Sequence, residues 1–175
     1  MIVDLTKIEN SQIEFELEIK PEEIDFENEF ARSQKEITFS GKLDNREVWA
    51  VVEGVIRAEL ELACSRCLSW VTKSFEIPME SAFITAENFT EDREVELEVE
   101  GLEVTLFEGN KIDLVEVAEE QILLAIPPQI LCKEDCRGLC IKCGLNKNSG
   151  GCKCDDEEID SRWSALKKLK INNEK

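Results

Sequence analysis

The chain has no histidine and no tyrosine among its 175 residues. Without imidazole there is no side chain that titrates unperturbed near neutral pH, and no His–Ser or His–Cys pair to activate a nucleophile. Metal ligands would have to be thiolates or carboxylates. No apolar run reaches the roughly 18 residues that a membrane span needs. The opening residues, Met1 to Asn10, lack a basic region followed by an apolar stretch and a small-residue cleavage site. A secretory signal is therefore not expected, and a cytoplasmic protein with reduced thiols is. Basic residues are scarce: 21 Lys+Arg face 39 Asp+Glu, for a net charge of −18. The deficit is uneven, at −20 over residues 1–130 and +2 over 131–175. An acidic body cannot hold nucleic acid by neutralising phosphates. It suits a basic protein partner, or solubility alone.

What the chain does have is cysteine, eight in all. Six lie at Cys132, Cys136, Cys140, Cys143, Cys152 and Cys154, spaced C-x3-C-x3-C-x2-C-x8-C-x-C. Structural Zn²⁺ takes four tetrahedral ligands, and thiolate is a favoured one. Cys140-Ile-Lys-Cys143-Gly144 fits a turn that wraps one metal, with Gly144 free to take positive φ. Six thiols are too many for one Zn²⁺ and too few for two four-thiolate sites. Either two are spectators, or they tune the site, or Cys64 and Cys67 complete a second. The reading favours one Zn²⁺ anchored on Cys140 and Cys143. It leaves open which two of Cys132, Cys136, Cys152 and Cys154 join them. The Cys152-x-Cys154 pair looks strained as a double donor, because alternate residues diverge unless the turn is sharp. Cys64 and Cys67 form a further C-x2-C, a thiol pair that binds metal, reacts, or packs as small apolar side chains. Lys133, Arg137, Lys142, Lys147 and Lys153 oppose only Glu134 and Asp135 around the six cysteines. Here alone the sign of the charge permits contact with RNA.

Length allows one core with a small appended module. Ile13, Phe15, Leu17 and Ile19 alternate with glutamates, as in a half-buried strand ended by Pro21. Residues 22–32 read as irregular, with Ile24, Phe26 and Phe30 as anchors. Ile37–Leu43 is a second strand, and Asp44-Asn45-Arg46 a turn. The longest alternation puts Val52, Gly54, Ile56, Ala58, Leu60, Leu62 and Cys64 on one face. It ends at Cys64-Ser-Arg-Cys67, a hairpin tip from which Trp70–Ile77 returns and which Pro78 closes. Glu94–Val99 and Leu102–Phe107 read as extended. Residues 113–126 switch to helical spacing, with Asp113 and Glu116 at the start and Pro127-Pro128 as the stop. A terminal helix is expected from Asp160, with Trp163, Leu166 and Leu169 as its stripe. The fold class is α+β. An acidic antiparallel β domain (1–130) carries one amphipathic covering helix, and a Cys-rich zinc-knuckle module with a short terminal helix (131–175) follows.

In order, the chain carries C-S-R-C-L from Cys64, I-D-L from Ile112, E-Q-I-L-L-A-I-P from Glu120, C-K-E-D-C-R-G-L-C-I-K-C-G from Cys132, C-K-C from Cys152 and D-S-R-W-S-A-L from Asp160. This combination, over roughly residues 40–170, resembles the YceD family, the large ribosomal RNA subunit accumulation proteins. Ile141 stands where the family usually has Pro, and Ser161 where Asp-Pro-Arg is usual. The resemblance implies a cytoplasmic, metal-binding and nucleic-acid-linked factor in 23S ribosomal RNA accumulation and large-subunit biogenesis. The expectation is a non-enzymatic protein with structural Zn²⁺. Its partners would be ribosomal RNA or a basic ribosomal or assembly protein, with no membrane and no small-molecule substrate. Two other readings stand beside it: a thiol- or metal-dependent activity using the Cys64/Cys67 dithiol, and a zinc-binding interaction module unrelated to ribosomes.

Overall fold

Alternating apolar and acidic residues place most of the chain in strands. The computed structural model describes residues 1–8, 11–26, 29–46, 49–85, 103–107 and 109–154. Strand β1 is Ile2–Asp4, β2 Gln12–Ile19, β3 Ala31–Ser33, β4 Ile37–Asn45, β5 Trp49–Ala63, β6 Trp70–Thr85, β7 Glu103–Phe107 and β8 Lys111–Asp113; helix α1 is Leu114–Ala125. The main sheet runs β2-β4-β5-β6-β7, with β3 beside the far end of β5. β1 pairs with β8 in a separate ribbon. That ribbon brings Met1 to the helix start, where its ammonium lies 3.3 Å from an Asp113 carboxylate oxygen.

The expected faces are the observed ones. In β5 the side chains of Ala50, Val52, Ile56, Ala58, Leu60 and Leu62 are buried, while Glu53 and Arg57 are exposed. They form one core with Phe15, Ile19, Ile37, Phe39 and Leu43. α1 covers it with Leu114, Val117, Ala118 and Ile122. Asp113 caps this helix by accepting from the Val115 N–H at 3.0 Å. Phe39 and Phe15 meet edge to face, centroids 4.9 Å apart.

Four expectations change. β6 does not stop at Pro78 but pairs with β5 from Trp70 to Ile84. Among the described residues β7 covers β6 only from Ser81 onward and none pairs with Pro78 on that side, a position where a residue without an N–H is tolerated. The sheet is not wholly antiparallel, because β6 and β7 run parallel. The stretch read as irregular includes β3, held to Leu60–Leu62 of β5. Ile24 and Phe26 are buried as expected, but Phe30 is 55% exposed. The expected strand Glu94–Val99 and the terminal helix with Trp163 lie outside the described residues.

Candidate metal centres

β5 and β6 carry Cys64 and Cys67 to the hairpin tip. The chain leaving α1 returns to that tip. Ser65 donates its N–H to the Ile130 carbonyl at 2.8 Å, and its hydroxyl accepts from the Ile130 N–H at 3.0 Å. Cys132 and Cys136 arrive beside the pair as a result. The Cys67 and Cys132 sulfurs are 3.6 Å apart, and those of Cys64 and Cys136 are 3.8 Å apart. Cys140, Cys143, Cys152 and Cys154 form a second group, with 3.6 Å between the sulfurs of Cys143 and Cys152. Within each group the sulfurs lie within 4.8 Å of one another. A tetrahedral Zn²⁺ with Zn–S bonds of about 2.3 Å sets its sulfurs about 3.8 Å apart. Both groups fit that donor set, and all eight cysteines are free thiols.

The expectation of a single centre drawn from the six downstream cysteines therefore gives way to two groups of four, with Cys64 and Cys67 completing the first. Cys132 and Cys136 turn toward Cys64 and Cys67 rather than toward Cys140 and Cys143. The reason is a contact across the fold: Gly138, at φ 71°, lies against the Arg66 carbonyl, where a Cβ would stand 3.0 Å from the oxygen. Arg66 fixes this approach from both ends, donating to the Cys136 carbonyl at 3.0 Å and accepting from the Leu139 N–H at 3.0 Å. Cys152 and Cys154 do share one group. Within it the Cys154 N–H favours the Cys152 thiolate, but Cys140 and burial outweigh it and push the Cys152 thiol up.

The two C-x2-C turns are built alike. Leu68 donates its N–H to the Cys64 carbonyl at 2.9 Å, and Gly144 donates to that of Cys140 at 2.8 Å. The Cys64 N–H reaches Ser69 at 2.9 Å, and the Cys140 N–H reaches Leu145 at 2.8 Å. Each turn closes on a left-handed residue, Leu68 at φ 58° and Gly144 at φ 72°. Their electrostatics match at the first cysteine of each turn. Burial opposes ionisation of Cys64, but N–H groups of Arg66, Cys132 and Cys67 outweigh it and bring its pKa down to about 6. The N–H groups of Cys143 and Lys142 bring Cys140 down to about 6 as well. Each group also holds a thiol pushed the other way. Desolvation, then the neighbouring thiols, raise Cys132 to about 12. The thiols of Cys143 and Cys152 raise Cys154 to about 12. Metal-free, each group thus shares its protons unevenly. A bound divalent cation would replace them.

Polar links join the two groups. Asn146 donates to the Ser69 hydroxyl at 3.3 Å, and Asn148 donates to the Cys136 sulfur at 3.3 Å. Neither asparagine stands out in the sequence. That Cys64 and Cys67 begin a site of their own did have a signal: C-S-R-C and C-I-K-C repeat one spacing.

The family model described as large ribosomal RNA subunit accumulation protein YceD matches residues 52–170, a span holding all eight cysteines. An uncharacterized Bacillus subtilis protein, YlbN, is 28% identical over 169 residues, covering 96% of this chain and 94% of its own. An uncharacterized Mycobacterium tuberculosis protein is 31% identical over 118 residues, covering 66% of this chain and 53% of its own. The chloroplastic YCED homolog 1 of Arabidopsis thaliana, named as a large ribosomal RNA subunit accumulation protein, is 25% identical over 143 residues, covering 68% of this chain and 44% of its own. This chain thus spans about half the length of the last two. No solved structure matches. With a match over more than half its length, on the segment that builds both thiol groups, the chain belongs to the YceD family of large ribosomal RNA subunit accumulation proteins.

Proposed function

We propose that the protein is a non-enzymatic cytoplasmic factor in 23S ribosomal RNA accumulation and large-subunit biogenesis, and that its thiols hold structural zinc. Membership of the family carries the ribosomal part of this reading. The thiol groups support the non-enzymatic part. A four-thiolate zinc has no open position for water or substrate, and the chain has no histidine to serve as a base beside it. Among the described residues, no helix is long and apolar enough to cross a membrane.

The acidic body is the surface for a basic ribosomal or assembly protein. Glu14, Glu16 and Glu18 of β2, Glu53 of β5 and Glu76 and Glu80 of β6 all stand exposed. Ribosomal RNA is the alternative partner, met through the less acidic Cys-rich part. Depletion in the organism that carries the protein tests the reading. The expected result is a fall in 23S RNA and in free large subunits, restored by re-expression. Unchanged 23S RNA and subunit profiles would overturn it.

The dithiol reading rests on the lowered pKa of Cys64. Its sulfur is fully buried among three other thiols, which denies it a reaction partner.

A further inference from the structure

We propose that the protein carries two zinc ions of unequal permanence. One is a retained ion at Cys64, Cys67, Cys132 and Cys136 that fastens the C-terminal segment to the β sheet. The other is an exchangeable ion at Cys140, Cys143, Cys152 and Cys154. This rests on the zinc reading above but not on the ribosomal one.

The first group is rooted in the core. Cys64, Cys67 and Cys136 are 0%, 5% and 3% exposed. Val71, Leu131 and Leu139 pack around them. The sulfurs of Cys64 and Cys67 are anchored by the two longest strands, paired residue by residue up to Ala63 and Trp70. The chain bearing Cys132 and Cys136 is held by the bonds between Ser65 and Ile130 and between Arg66 and Cys136. For a competing ligand to reach this ion, Cys132 must leave first, and the other three sulfurs stay covered.

Among the described residues the second group is tied to the body by polar bonds of its return loop, from Asn146, Lys147 and Asn148, rather than by strands of the core. Of its four cysteines only Cys140 is buried, and Cys143 is exposed. All four ligands fall within 15 residues of chain. The return loop runs through a short 3-10 turn, Lys147–Ser149, and Gly150 at φ 75°. A Cβ built on Gly144, Gly150 or Gly151 would meet nothing within 4 Å, so the loop is open at these three positions. Cys143, Cys152 and Cys154 can each leave the metal without displacing a core side chain. Thiolate exchange of the ion with a small chelator or a second thiol protein therefore proceeds here. Each departing Zn–S bond is replaced by a Zn–donor bond from the acceptor, and the cation passes over without any change of oxidation state.

The test is elemental analysis of the full chain, purified reduced, followed by zinc release to a chromophoric chelator. The expected stoichiometry is two zinc per chain. Release should be biphasic, with one equivalent leaving at least tenfold faster than the other and no change in far-ultraviolet circular dichroism during the fast phase. Cys143→Ser should remove the fast phase and leave one slow equivalent. Cys132→Ser, at the exposed edge of the first group, should remove the slow equivalent and keep the fast one. Cys67→Ser is the second variant for that group. Cobalt substitution adds a readout independent of release, with four-thiolate spectra expected at two equivalents and at one in each variant. One zinc or none, two equivalents leaving at a single rate, or a slow phase that survives both Cys132→Ser and Cys67→Ser would overturn the proposal. Normal 23S RNA on depletion would not, because it bears only on the ribosomal role.

Discussion

The two thiol groups share a turn, a donor set and a lowered first cysteine, yet they sit in opposite surroundings. The first joins positions far apart in sequence: Cys67 and Cys132 are separated by 65 residues, and Cys64 and Cys136 by 72. The second joins Cys143 to Cys152, separated by 9. The chemistry of the first cysteine therefore does not distinguish them; chain topology and burial do. A metal in the second group orders a short segment. A metal in the first closes a loop containing β6, β7, β8 and α1, and so reports on the whole body.

The comparison breaks most visibly under denaturation. The closure cost of a loop grows as three halves of RT times the logarithm of its length. A 65-residue closure against a 9-residue one then differs by about 2 kcal/mol. Cys67→Ser also leaves Cys64 and Cys136 buried without a metal to bind. Cys67→Ser is expected to destabilise the protein by at least about 2 kcal/mol more than Cys143→Ser. Urea titration followed by circular dichroism of the sheet checks this. Equal losses would mean that the first group does not fasten the sheet.

Acid should weaken both groups, the second more steeply, because the Ser69 hydroxyl and N–H hold Cys67 below the usual thiol value, whereas at Cys152 the Cys154 N–H is outweighed by Cys140 and burial, which push the thiol up. Cys132 and Cys154, with pKa values pushed up to about 12, are protonated throughout the range from pH 6 to 8. Each must give up its proton when a cation binds. Affinity therefore falls as pH falls, by at least about tenfold per unit, in both groups. Below about pH 6 it falls more steeply, as Cys64 and Cys140 also take up protons. Competition with a zinc chelator at pH 8, 7 and 6 measures the slopes. Parallel slopes would place the difference between the groups in burial and loop length, whereas slopes differing by a whole proton would place it in the thiols.

The left-handed residue after each turn gives a smaller, reciprocal test. A non-glycine residue in that conformation costs roughly 1–2 kcal/mol. Gly144→Ala meets open space, so it should weaken the second ion by about 1 kcal/mol through the backbone alone. Leu68→Gly should relieve similar strain at the first turn. It also loosens the unfolded chain, so the net gain is less than about 1 kcal/mol. Metal competition on the two variants reads both signs. A tolerated Gly144→Ala would show that the second turn does not need its left-handed closure.

How much of this could be read from the chain depended on how local each feature was. The faces of β2, β4 and β5 follow from period-two alternation, and α1 from the spacing of Leu114, Val117, Ala118 and Ile122, with Asp113 as its cap. Both patterns are set by neighbours in sequence. The β1–β8 ribbon, the parallel β6–β7 pair and the reach of β6 past Pro78 depend on partners far along the chain, and three-residue strands carry no period of their own. The thiols divide the same way. Cys140 and Cys143 are a legible pair because their turn is local. The assignment of Cys132 and Cys136 to the hairpin tip is not, because it depends on Arg66 and Gly138 meeting across the fold.

The smallest expected effect asks whether the two groups act on each other at all. Asn148 belongs to the loop between Cys143 and Cys152, yet its side-chain N–H donates to the Cys136 sulfur at 3.3 Å in the first group. Its oxygen accepts from the Arg137 N–H at 3.0 Å. Emptying the second group would free this loop and take both bonds away. Asn148→Ala removes them directly while leaving all eight sulfurs in place. A hydrogen bond of this kind contributes about 1 kcal/mol net. The variant should therefore keep both ions but release the slow one a few-fold faster, by the same factor as Cys143→Ser does. If Cys143→Ser speeds the slow release and Asn148→Ala does not, the groups communicate through some other contact. If neither does, they are independent ions, and the first alone sets the stability of the fold.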